Sequence, residues 1–149
     1  MGQKVHPYGF RLGYIKGWHS NWYANNETYK KTLVEDLKIR QYVEKNMKQA
    51  GIAKTEISRT SDQTKVTVYS AKPGVAIGKG GAGIDEIRLD LKKICDSQVI
   101  FNIAEVKRPD AEAKLIAENI AAQLEKRVAF RRAMKKVMTS AFRSGVKGI

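Results

Sequence analysis

An α+β fold is predicted for this chain from three observations. Apolar residues recur at helical spacing on both sides of a central region. Two short runs of alternating side chains flank a polar turn there, and a glycine cluster separates a short apolar segment from a further helical stripe. The predicted order is helix, strand, strand, short helix, glycine loop, helix, strand, followed by two more helices.

The first 26 residues have no sustained periodicity and are punctuated by Gly2, Pro7, Gly9, Gly13 and Gly17, which predicts an extended arm over 1–26. Seven of the twelve aromatic residues fall in the first 29 positions, interleaved with Lys4, Arg11, Lys16 and His19. Two readings stand side by side. The rings pack back on the domain, or some of them stack on bases and riboses while the cations meet phosphates. On the second reading Lys4, His6, Arg11, Lys16 and Trp22 are the arm's RNA contacts.

From Asn26, read as an N-cap, Tyr29, Leu33 and Leu37 recur at i, i+4 and i+8, Val43 and Met47 continue the stripe, and Gly51 ends it. Strands are predicted at 55–60, carrying Ile57, and at 65–71, where Val66 and Val68 alternate with Thr67 and Tyr69; Ser61-Asp62-Gln63-Thr64 turns between them. After Pro73-Gly74 comes the short segment Val75-Ala76-Ile77, then the glycine loop and a helix with Ile84, Ile87, Leu91 and Ile94 on one face. Val99, Phe101 and Ile103 alternate in a third strand, so 27–107 is predicted as one domain. Cys95 falls at an apolar helical position and is expected in the core. Beyond Arg108-Pro109-Asp110, Ile116, Ile120, Leu124 and Val128 line one helix, and Phe130, Met134, Val137, Met138 and Ala141 line the next. On the opposite side of that last helix stand Arg131, Arg132, Lys135, Lys136 and Arg143. Residues 131–149 hold six basic residues and no acidic one.

Composition narrows the function. At 149 residues, 42% hydrophobic and 29% charged, the chain is long enough to bury a core without disulfides or metals. No run approaches the roughly 18 apolar residues of a membrane-spanning helix, and no apolar leader opens the chain, so no membrane partner and no secretion are expected. Charge is the outlier. With 28 Lys and Arg against 15 Asp and Glu the net charge is +13, which points to a polyanionic partner, nucleic acid first. One Cys and two His leave no disulfide framework or zinc cluster, and fit a reducing compartment. No catalytic triad, paired-carboxylate motif or metal-spaced cluster stands out, so neither enzymatic activity nor a cofactor is expected.

The segment Gly78-Lys79-Gly80-Gly81 has three competing readings. A triphosphate-binding loop fails because, counted from Gly74, the second glycine arrives one residue early and Gly80 stands where Ser or Thr should hold magnesium. Gly78, Gly80 and Gly83 match G-x-G-x-x-G with Glu105 downstream, but the chain lacks the strand-helix alternation of a dinucleotide domain. The third reading is G-x-x-G between a short and a longer helix beside a small sheet. Glycines let a sugar-phosphate backbone approach, the next helix offers unpaired N–H groups and its dipole, and Lys79 adds charge. With Val75 and Ile77 as an apolar floor, this is the KH mode of binding single-stranded RNA.

Three separated segments carry a family resemblance: Met1-Gly2-Gln3-Lys4-Val5-His6-Pro7 with Gly9-Phe10-Arg11-Leu12-Gly13; Lys72-Pro73-Gly74 ahead of Ile77-Gly78-Lys79-Gly80-Gly81; and Phe130-Arg131-Arg132-Ala133-Met134-Lys135-Lys136. In this order they resemble the bacterial-type small-subunit ribosomal protein S-three family over the whole chain. The resemblance implies a type II KH domain, followed at 108–149 by the helices that start a second α/β domain. Family members continue past Gly145-Val146-Lys147-Gly148-Ile149 into strands, so the second domain is expected to be incomplete here. It further implies a cytoplasmic ribosomal protein of the small-subunit head that binds rRNA and helps position mRNA at its entrance channel. Implied partners are small-subunit proteins ten and fourteen, with proteins four and five around the incoming mRNA. The family's mRNA-facing cations fall on Arg131, Arg132 and Lys135, with Lys136 adjacent. The alternative expectation is a free-standing KH factor of ribosome assembly or transcription, which would share the loop but has no reason to carry the arm.

Overall fold

The computed structural model describes residues 2–78, 81–95 and 97–148, the side chain of Ala82 excepted. Its elements in chain order are α1 Pro7–Arg11, β1 Ser20–Asn21, α2 Asn26–Asn46, β2 Ile52–Arg59, β3 Gln63–Ser70, α3 Pro73–Ile77, α4 Ala82–Ile94, β4 Gln98–Glu105, α5 Ala113–Glu125 and α6 Phe130–Arg143. The α+β class and the element order from α2 to α6 are as predicted.

One four-stranded sheet runs β1-β2-β3-β4. β2 and β3 form the antiparallel hairpin, with Ile57 opposite Val66, and β4 lies parallel to β3, with Phe101 opposite Val66. Alternation therefore sends Ile57, Val66, Val68, Val99 and Phe101 to one face, where α2 and α4 cover them with Ile39, Val43, Met47, Ile87 and Leu91. Cys95 is buried in this cluster, as its position in the sequence suggests. Tyr42 of α2 donates to Asp90 of α4 at 2.6 Å and ties the two helices together. Burial, then Asp90, pushes the Tyr42 phenol up to about 12.

Several expectations are corrected. The arm is not simply extended. It holds the single-turn helix α1, started by Pro7 with His6 as its cap, and β1, which adds to the sheet parallel to β2. β2 begins at Ile52 rather than Thr55. α2 is capped by Asn25, without a side-chain bond, and of its expected stripe only the C-terminal part, Val43 and Met47, is buried. Its buried residues are Asp36, Ile39 and Val43, whereas Tyr29, Leu33 and Leu37 stay exposed, because the Asp36 carboxylate is drawn in by Arg59 and Trp22. In α6 the buried line is Ala133, Val137 and Ala141. Small residues let α5 approach on that side, and the larger Phe130, Met134 and Met138 of the expected stripe are left half-exposed. α5 ends before Val128, at a turn where Arg127 takes a positive φ of 59°.

Candidate nucleic-acid interface

The glycine segment joins α3 to α4 beside the edge strand β4. Gly78 ends α3 at φ 73°, and Gly81 caps α4 at φ 86°, both in the region that side chains with a Cβ avoid. Gly83 serves another purpose. A Cβ there would lie 3.1 Å from the Ile77 carbonyl oxygen and 3.3 Å from that of Ala76, so its absence is what lets the two helices close on each other. Lys79 and Gly80 lie outside the described residues.

Because Gly81 has no side chain to cap α4, the first N–H groups of this 13-residue helix take no side-chain partner from their cap. Asp85 in the first turn is exposed and tethered to Arg88 at 3.4 Å. Ala76 points into the core while Val75 and Ile77 are 54% and 37% exposed, so the two residues expected to floor the loop are open to a ligand.

The second cationic element is α6. Arg131, Arg132, Lys135 and Lys136 are all exposed and, with Thr139, line one shallow depression. No acidic residue lies in this helix, and its N-terminal dipole adds to the field of Arg131 and Arg132. The Arg131 guanidinium sits 5.7 Å from the centre of the Phe130 ring. Ser140, on a neighbouring side, donates to Asp110 at 3.0 Å and fixes the helix against the turn before α5.

The arm divides at His19. Before it, Lys4, His6, Arg11 and Lys16 are exposed, as are Phe10, Tyr14 and Trp18, with Tyr14 93% exposed. Some of these groups already serve the arm itself. His6 Nδ1 accepts from the Tyr8 N–H, Arg11 donates to the Pro7 carbonyl at 2.8 Å, and Lys16 lies 6.0 Å from the Tyr8 ring.

From His19 onward the arm is built into the domain. Arg40 of α2 donates to the carbonyls of His19 and Thr55 and to Ser20 Oγ. The Trp22 indole N–H donates to Asp36 at 2.7 Å, so that group of an expected RNA contact is used within the chain, and the ring rests 5.5 Å from Tyr29. The sequence reading missed Asp36 and Arg40, and only one signal for them was legible: charged residues standing on the inward side of an otherwise apolar helical turn.

A further polar cluster joins arm and sheet. Tyr8 stacks on His19 at 5.3 Å, and its hydroxyl lies 2.7 Å from His19 Nε2. Desolvation, then the nearby Arg40 and Lys54 charges, hold His19 below the ordinary histidine value. On the open face of the sheet, Lys54 pairs with Glu56 at 2.6 Å and covers the Tyr69 ring at 4.2 Å. The Glu56 hydrogen bond, chiefly, raises the Lys54 pKa.

Comparison with known proteins agrees with this geometry. The KH domain family matches residues 38–111, which hold the C-terminal part of α2, the hairpin, α3, the glycine loop, α4 and β4. Small ribosomal subunit protein uS3 of Clostridium novyi is 54% identical over 150 aligned positions, covering 100% of this chain and 68% of that protein. The uS3 of Clostridium botulinum strain Hall is 55% identical, over 100% of this chain and 67% of its own length.

Proposed function

The chain belongs to the uS3 family of small ribosomal subunit proteins, and from that premise we propose that it sits in the subunit head, binds rRNA and guides mRNA at its entrance channel. Its KH domain is an RNA-binding module, and the family is structural rather than enzymatic. The observation that carries the mRNA role is the exposed set Arg131, Arg132, Lys135 and Lys136 around one depression on an acid-free helix. Such a surface meets phosphates along a strand without reading its bases. The loop Gly78, Lys79, Gly80 and Gly81 and the arm residues Lys4, His6, Arg11 and Lys16, with the exposed part of Trp22, are proposed rRNA contacts. The family resemblance supports proteins ten and fourteen as neighbours, with proteins four and five near the incoming mRNA, in cytoplasmic ribosomes. The element order supports 27–107 and 108–149 as domain limits, while the expected arm, 1–26, stands apart from the domain only before His19.

Initiation on messages with a structured segment just downstream of the start tests the mRNA role. Ribosomes carrying Arg131, Arg132, Lys135 and Lys136 changed together to Ala should assemble normally and lose activity selectively on the structured messages. Equal effects on structured and unstructured messages would overturn it. A free-standing KH factor is disfavoured, because the similarity to uS3 spans the arm and α6 as well as the KH region.

A further inference from the structure

α5 and α6 close with the same pair of backbone hydrogen bonds but carry different residues at the turn. After α6, the Gly145 N–H donates to the Phe142 carbonyl at 3.0 Å and the Val146 N–H to that of Ala141 at 3.3 Å. After α5, the Arg127 N–H donates to the Leu124 carbonyl at 2.8 Å and the Val128 N–H to that of Gln123 at 3.1 Å. Both are Schellman closures, which put the first residue past the cap, Gly145 or Arg127, in the left-handed region. Gly145 takes a φ of 91° there and Arg127 one of 59°. The other positive φ values among the described residues belong to Gly13, Gly51, Gly78 and Gly81. Among those residues Arg127 alone holds a Cβ in this region, and the conformation is strained for it.

The fold does not use the side chain that causes the strain. Arg127 is exposed, and among the described residues its guanidinium joins no hydrogen bond or ion pair. Arg131 follows four positions later, at most about 14 Å along the chain, with Ala129 between them as the cap of α6. We propose that Arg127 is a further phosphate contact of the mRNA path, extending the surface of Arg131, Arg132, Lys135 and Lys136 past the start of α6. The inference rests on the mRNA reading above and adds to it a residue that the backbone alone would replace by glycine. A guanidinium offers a planar fork of donors to phosphate oxygens. The two closing hydrogen bonds fix the backbone from which it departs, so less freedom is lost on binding.

Arg127→Gly separates the charge from the fold. The free chain carrying it should melt about 2 °C higher, because the strain at the turn is relieved. Small subunits carrying it should bind an unstructured mRNA with a log–log salt slope flatter by about 0.7, whereas Arg127→Lys, which keeps the charge, should retain the original slope. A lower melting temperature would mean that the fold needs the side chain, and an unchanged slope that no mRNA phosphate meets it; either result overturns the proposal. Failure of the Arg127→Gly chain to enter subunits, with its melting temperature undiminished, would assign the contact to rRNA and overturn it as well. Subunits with the four α6 cations changed to Ala are measured alongside. If their slope is unchanged, the mRNA reading fails and this inference with it. If their slope flattens while that of Arg127→Gly does not, this inference alone fails.

Discussion

The Trp22 indole nitrogen lies 2.7 Å from an oxygen of Asp36, and this contact anchors the arm on the domain. The same carboxylate receives two nitrogens of Arg59, at 2.6 and 2.9 Å, and Ser20 Oγ at 3.4 Å, while Arg59 reaches Glu35 at 2.8 Å. Asp36 is only 3% exposed, so removing it strands several donors away from water. Asp36→Ala should cost about 2–4 kcal/mol. Trp22→Phe keeps a ring and leaves Asp36 paired with Arg59, so it should cost only about 1 kcal/mol. Chemical denaturation of both variants checks the difference; equal costs would mean that the indole bond, not the Arg59 pair, dominates the cluster.

The arm should divide at His19 when the free protein is probed by hydrogen exchange. The Ile57 N–H donates to the His19 carbonyl at 2.9 Å and β1 is paired to β2. Protection is therefore expected around β1 and at Ile57 before assembly, with fast exchange at the turn bearing Tyr14 and Ile15. Assembly should then protect residues 2–18. Uniform exchange from 2 to 25 in the free protein would mean that the arm docks only on the ribosome.

Acidification should loosen the Tyr8–His19 junction. The folded pKa of His19 is lowered by desolvation and by Arg40, Lys54 and Lys16, with Glu56 opposing. Between that value and the ordinary histidine pKa of about 6.5 the unfolded chain binds more proton. The contribution to stability is thus fully present above about 6.5 and is lost as pH falls through the folded pKa. Protection factors near Tyr8 and Gly17, with the intrinsic pH dependence of amide exchange divided out, should fall as the pH drops below about 6.5. In His19→Gln the dependence should flatten, and an unaltered profile would assign it to other groups.

Three glycines near the loop should respond differently to Ala. Gly83→Ala sets a Cβ 3.1 Å from the Ile77 carbonyl oxygen, and Gly78→Ala combines a positive φ of 73° with a contact of 3.3 Å to the Gly83 nitrogen. Each should lower stability by about 1–3 kcal/mol and reduce RNA binding as α3 and α4 move apart. Gly74 has open space around it within α3, so Gly74→Ala should be neutral or stabilising by up to about 1 kcal/mol. Thermal melts and single-stranded RNA titrations of the three variants provide the check.

The α6 cations make a quantitative prediction. Each phosphate contact on a single strand contributes about 0.7 to the log–log salt slope, so four Ala changes should flatten the slope for mRNA binding by at most about 3. Preference among sequences should barely change, since phosphate contacts carry no base information. A slope unchanged within error would mean that these four side chains meet no mRNA phosphate.

Local chemistry decided what was legible in advance. Ile57, Val66 and Val68 alternate as a half-buried hairpin must; Ile87 and Leu91 share a helical face; Gly78 marks a backbone turn that L side chains resist; and the α6 cations sit opposite its apolar residues by helical geometry alone. Each of these properties depends on neighbours within a few positions, and together with the motif resemblance they determined element order, α+β class and RNA-binding character. The tertiary structure alone decided which face of α2 is buried and where the arm lies. Hydropathy favoured Leu33 and Leu37, but a buried carboxylate is stable only if donors reach it, and Ser20, Trp22 and Arg59, 16, 14 and 23 residues away from Asp36, supply them. That meeting of distant side chains turns Asp36 inward, brings β1 onto the sheet, and leaves Tyr29, Leu33, Val34 and Leu37 facing out.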